Sequence, residues 1–153
     1  MSRTTQSAAP LTVDVAFDIK PEAGVPFPVL FQTEDETVLV YRGYGVVVAH
    51  FEGCIITRFG YPNDEALGGH PLYESGLQHY GVFEVYGSSW PSELEARNRR
   101  VFPDSHSFDY RHFIFTFHDS TFECLATGIR FESCIQPLAE VVGRIQQEMC
   151  ARI

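Results

Sequence analysis

Six histidines stand among 20 Asp and Glu residues in this 153-residue chain. Imidazole beside carboxylate is the side-chain pairing best matched to proton transfer near pH 7. The first candidate for such a pairing is His118 with Glu123, flanking Asp119-Ser120. A two-residue turn there puts both on diagonal positions of one hairpin face, within reach of a hydrogen bond. Glu123 would then hold His118 in one tautomer and raise its basicity, as a general base needs. The second candidate is His70, in Gly68-Gly69-His70-Pro71 after Asn63-Asp64-Glu65. Paired glycines let backbone approach a ligand closely, and a loop histidine can be presented to it. The expected catalytic groups are thus His118, Glu123 and His70. Asp64, Tyr61, Tyr73 and Trp90 are expected to position a polar ligand in an aromatic-lined pocket.

Each candidate also has a plainer reading. His118 could flank a turn on a solvated sheet face, and His70 could top a Gly-rich surface turn. His50, between Val48 and Ile55, reads as a core histidine bonded to a backbone carbonyl.

Other chemistries find less support. No H-x-H, H-x-x-x-H or HExxH occurs on an assignable element, so no metal site is expected. His112 and His118 share a face but lie six residues apart, roughly 20 Å along a strand at ~3.3 Å per residue. Ser88-Ser89 and Ser120 lie near turns, without the GxSxG pattern of a nucleophile elbow. Cys124 falls on a face expected to be buried, where thiols are inert. Gly43-Tyr44-Gly45 lacks the remaining glycines of a phosphate loop, and no cofactor is implied.

The elements that must carry these residues are read from periodicity. Residues 11–19 alternate Val13, Val15, Phe17 and Ile19 against Thr12, Asp14 and Asp18, the mark of a half-buried strand. Residues 29–32, 37–42 and 45–51 are β-rich. The Glu52-Gly53 pair predicts a hairpin into 54–59 in which Phe51 faces Cys54, Ala49 faces Ile56 and His50 lies opposite Ile55. Residues 60–76 form a long polar loop, and such loops are often functional or mobile. Strand character returns over 78–86.

Ser92-Glu93-Leu94-Glu95 matches a capping box and predicts a short helix to about Arg100. Phe113, Phe115 and Phe117 alternate with His112, Ile114, Thr116 and His118. A turn at Asp119-Ser120 then pairs Phe117 with Phe122 and Phe115 with Cys124. Leu138, Val141, Val142, Ile145 and Met149 form one stripe of a C-terminal helix opened by Pro137. Short connections favour antiparallel neighbours. The expected fold is α+β: a curved antiparallel sheet of about seven strands, approaching a half-barrel, packed on the C-terminal helix, with one short helix before the last hairpin. Residues 1–10 read as a disordered tail and 11–153 as a single domain.

Composition narrows the partners. Hydrophobic residues are 44% of the chain, enough to offset ordering entropy in one core. A net charge of −9 with no basic run disfavours a phosphate backbone, so nucleic acid is not expected to bind. No stretch nears the roughly 18 apolar residues of a membrane span. Cys54, Cys124, Cys134 and Cys150 match no zinc or CxxC spacing, and with no signal peptide evident they point to reduced thiols and a cytoplasmic setting.

Two functions fit. One is a small cofactor-independent enzyme doing His/carboxylate acid–base chemistry on a small organic molecule, of isomerase, cyclase, lyase or hydrolase type. The other is an acidic interaction module, an inhibitor or immunity-type partner, motivated by the charge. A homodimer is compatible with either.

Overall fold

The computed structural model describes residues 10–15, 18–107 and 109–152. Its elements in chain order are β1 (Leu11–Asp14), β2 (Val29–Gln32), β3 (Thr37–Arg42), β4 (Val46–Glu52), β5 (Ile56–Gly60), β6 (Val82–Tyr86), α1 (Trp90–Arg99), β7 (Arg111–Thr116), β8 (Thr121–Ala126), β9 (Gly128–Cys134) and α2 (Leu138–Cys150). They build an α+β protein with two antiparallel sheets, ordered β1-β6-β7-β8-β5 and β2-β3-β4-β9. The expected tail lies outside the described residues except for Pro10.

The sheets face each other through an aromatic core. Leu39, Tyr41, Ala49 and Phe51 from one meet Phe113, Phe115, Phe122 and Cys124 from the other. Tyr41 meets Phe115 and Phe117 edge-on, at 5.7 and 5.3 Å between centroids, the arrangement ring quadrupoles favour. Its buried hydroxyl donates to the Ile19 carbonyl at 2.7 Å, so no polar atom is stranded there.

Both outer faces are apolar too, and each needs its own cover. Val38, Val40, Val46 and Val48 pack under Leu138, Val141 and Ile145 of α2. Leu138→Ala or Ile145→Ala should each cost about 2–5 kcal/mol in urea unfolding, as large-to-small core changes do. If both variants unfold with the wild-type midpoint, α2 is peripheral to the core. On the five-stranded sheet, Phe83, Val85 and Ile114 are covered by Leu67, Leu72 and Leu77. The long segment after β5 is therefore a packed layer. It contains one-turn 3-10 helices at Leu67–Gly69 and Tyr73–Ser75. Threonines of the sheet satisfy its backbone: Thr121 Oγ1 donates to the Pro62 carbonyl and Thr12 Oγ1 to that of Ser75.

Several expectations are corrected. The hairpin at Glu52-Gly53 does not form: β4 pairs with β3 and β9, whereas β5 pairs with β8 in the other sheet. The chain passes between sheets there, and again at Thr127 between β8 and β9. Glu52 is opposite Gly128 and Ile56 opposite Leu125, so three residues on one side face two on the other. That extra residue is a β-bulge, with Gly53 at φ 56° as its left-handed position requires. Thr127 closes the corner, its amide and its hydroxyl both donating to the Glu52 carbonyl.

The described strands number nine rather than about seven; β9 was not anticipated, and the β-rich stretch divides over two sheets. In β1 it is Thr12 that is buried, while Val13 and, just past the strand, Val15 are 41% and 39% exposed. This edge strand turns Thr12 under the covering segment, where its hydroxyl finds the Ser75 carbonyl. Phe17 of the same pattern lies outside the described residues. Helix α1 begins at Trp90, ahead of the expected capping box, and Ser89 Oγ bonds Glu93 in place of a Ser92–Glu95 pair. His50 is half-buried and meets the Glu132 carboxylate at 3.5 Å, not a backbone carbonyl.

Candidate functional site

The hairpin register decides which charged groups meet. Phe115 lies opposite Phe122, and Ile114 opposite Glu123, with Phe117–Ser120 left as a four-residue connection. The Phe117 amide closes it by donating to the Ser120 carbonyl at 2.9 Å. This differs by two residues from the register expected from a turn at Asp119-Ser120. A shift of two keeps every side chain on its face, so the phenylalanines stay buried, but it changes the diagonal neighbours. Glu123 moves away from His118 and comes beside His112.

Glu123 is the centre of the resulting cluster. His112 Nε2 lies 2.9 Å from its Oε1, and His70 Nε2 lies 3.2 Å from its Oε2. All three side chains are largely buried, at 6%, 9% and 12% exposure for His112, His70 and Glu123. The network assigns the protons. The Leu72 amide donates to His70 Nδ1, so His70 carries its proton on Nε2 and donates to Glu123. A carboxylate only accepts, so His112 also presents Nε2–H to Glu123, leaving a lone pair on Nδ1. That lone pair faces Ser88 Oγ at 2.8 Å. Burial pushes the Glu123 carboxyl up, but the hydrogen bonds donated by His112 and His70, with the electrostatic pull of the two imidazoles, outweigh it and hold it at about 2.

Ser88 sits where β6 gives way to α1. Gly87 makes the turn at φ 73°, a conformation side chains resist. The Trp90 amide, first of the helix, donates to Ser88 Oγ at 3.3 Å. Trp90 is buried edge-on against His112, 5.1 Å between ring centroids. On its indole rests Arg58, whose guanidinium carbon is 4.1 Å from the ring centroid. These groups border a cavity of about 530 Å³, lined also by Tyr61, His70 and Leu72.

Of the residues expected to form the site, His70, Glu123, Tyr61 and Trp90 line this cavity. His118 and Asp64 do not. They form a second cluster, in which His118 Nδ1 is 2.9 Å from Asp64 Oδ2, a close approach out of line for a hydrogen bond. Asp64 also accepts from the Tyr80 hydroxyl at 2.5 Å, which holds its carboxyl below the ordinary range, with His118 adding to the effect. His118 instead borders a separate cavity with Phe27 and Phe59. Tyr73 lies edge-on to His79 and lines neither cavity. A Cβ on Gly68 or Gly69 would meet nothing within 4 Å, so close packing does not require glycine at either.

Sequence reasoning missed Ser88, His112 and Arg58. His112 was legible as sharing the Glu123 face, and only the register hid the pair. Ser88 left no motif, because its turn joins an antiparallel strand to a helix without GxSxG. Among the described residues no three His, Cys, Asp or Glu side chains are arranged to hold a metal ion, and no described helix is long and apolar enough to cross a membrane. No family model, curated protein or solved structure matches the chain.

Proposed function

We propose that the protein is a small hydrolase or acyl-transfer enzyme acting on a small organic ester or amide, with Ser88 as nucleophile, His112 as general base and Glu123 as its orienting carboxylate. The observation that carries this reading is the continuous chain Ser88 Oγ–His112 Nδ1–Glu123 Oε1, at 2.8 and 2.9 Å, on the wall of a cavity. Recognition of such an array rests on geometry and roles, not on chain order. Ser88 Oγ would bond to the carbonyl carbon as its proton passes to His112 Nδ1. Glu123 stabilises the imidazolium so formed. As the bond to the leaving group breaks, His112 returns the proton to it, and water repeats the sequence to release the acyl group from Ser88. His70 acts as a positioning residue: it occupies the second carboxylate oxygen and keeps Glu123 anionic. The start of α1 adds the positive end of a helix dipole beside the nucleophile.

A fluorophosphonate tests this directly, since serine attack expels fluoride and leaves a stable adduct. Intact mass should show one adduct, mapped to Ser88 and absent from Ser88→Ala. A folded wild-type protein that stays unlabelled at Ser88 overturns the relay. The net charge of −9 would then favour the interaction-module reading.

A further inference from the structure

We infer that the cavity selects acyl compounds bearing a second, anionic group, a half-ester of a short dicarboxylic acid being the simplest, with Arg58 holding the free carboxylate. This rests on the Ser88 reading for the reacting end of the substrate, and on separate residues for the anionic end.

Arg58 and Glu123 are register partners on adjacent strands. Opposite charges so placed ordinarily pair. Here they do not: both Glu123 oxygens accept from histidines, and Arg58 makes no ion pair among the described residues. Its guanidinium lies instead over Trp90 and borders the cavity. The contact with the indole holds the guanidinium at the cavity while its N–H groups make no hydrogen bond among the described residues, so they are free to meet a planar carboxylate with two parallel hydrogen bonds. The other acid on the cavity wall, Glu93, is engaged by Ser89 Oγ at 3.2 Å. Arg58 is the one guanidinium or ammonium among the residues lining the cavity, so an anion entering it meets its positive pole there, at the N–H edge of that side chain.

The spacing sets the size of the substrate. The guanidinium is 4.1 Å and the His112 ring 5.1 Å from the indole of Trp90, so the two are separated by at most the sum of these distances. A short acyl chain, such as that of succinate, can bridge the anion site and the reacting carbonyl. A long chain would have to fold back.

Trp90 is the single tryptophan, so its emission reports on the ring that Arg58 covers. The experiment is a fluorescence titration of full-length Ser88→Ala protein, which cannot turn over, with monomethyl succinate, dimethyl succinate and inorganic phosphate. The mono-acid should bind at least about tenfold more tightly than the neutral diester. Arg58→Gln should reduce that ratio to near one. Phosphate distinguishes the anion: if it binds as tightly as the mono-acid, the site takes oxyanions generally and the carboxylate assignment is overturned. Equal affinity for the two esters, no saturable change with either up to about 10 mM, or a preference that survives Arg58→Gln overturns the anion site itself. A protein that discriminates here but forms no fluorophosphonate adduct loses the relay and keeps the anion site. One that forms the adduct without discriminating keeps the relay alone.

Discussion

His112→Gln is expected to lower turnover of an activated ester, such as a p-nitrophenyl half-ester of succinic acid, by about 10²–10⁴-fold. Glutamine can still donate an amide N–H toward Glu123, so the buried carboxylate keeps a partner. What it lacks is a basic lone pair able to accept the Ser88 proton and return it to the leaving group. The loss should therefore fall on kcat, while KM and the melting temperature stay near wild type. His118→Ala is the matched control: His118 is 43% exposed and contacts Asp64, away from the Ser88 cavity. Its turnover should remain within about twofold of wild type. Steady-state kinetics on both variants decide the matter. If His118→Ala is the inactive one, proton transfer runs through the Asp64 cluster and the Ser88 relay is wrong.

Glu123→Gln should destabilise the folded protein by about 3–5 kcal/mol at pH 7, the usual effect of removing one member of a buried charged network. Two Nε2–H groups converge on the carboxylate, and an amide offers one acceptor and one conflicting donor. The same group sets an acid dependence. Its carboxyl is held at about 2, against an ordinary 4.5. The folded state therefore binds that proton less readily than the unfolded chain. The contribution of Glu123 to stability is complete above about pH 4.5 and is lost as pH falls toward 2, for roughly 3 kcal/mol in all. Urea unfolding of wild type and Glu123→Gln at pH 7, 5, 4 and 3 measures this against the background of other carboxylates. The two proteins should converge in stability as the pH drops. A gap that stays constant down to pH 3 would mean that Glu123 does not titrate below its ordinary range.

The two predictions differ in how much of their basis was legible from the chain. The alternation of Phe113, Phe115 and Phe117, and the stripe Leu138, Val141, Val142 and Ile145, place residues on faces correctly because periods of 2 and 3.6 are local properties of the backbone. The partner of Glu123 is different. Registers differing by two residues bury the same phenylalanines, so the hydrophobic pattern cannot choose between His118 and His112. The four-residue connection, closed by Phe117 and Ser120, makes that choice. The Glu52-Gly53 hairpin failed for a related reason. A glycine of positive φ serves a tight turn and a bulge equally well, and only pairing of β5 with β8 makes it a bulge between sheets.

By itself, then, the sequence determined the α+β class, the antiparallel strands, the C-terminal helix with its buried stripe and the aromatic face of the β7–β8 hairpin. Each follows from side chains a few residues apart along one element. The tertiary structure alone decided the division into two sheets and the meeting of His70, Ser88, His112 and Glu123. These come from three parts of the chain, the covering segment, the turn from β6 into α1 and the β7–β8 hairpin, and no spacing encodes how the three approach one another. They converge because the outer face of the five-stranded sheet is apolar at Phe83, Val85 and Ile114 and must be covered. The segment that covers it brings His70 down onto Glu123, while the turn from β6 into α1 sets Ser88 against His112.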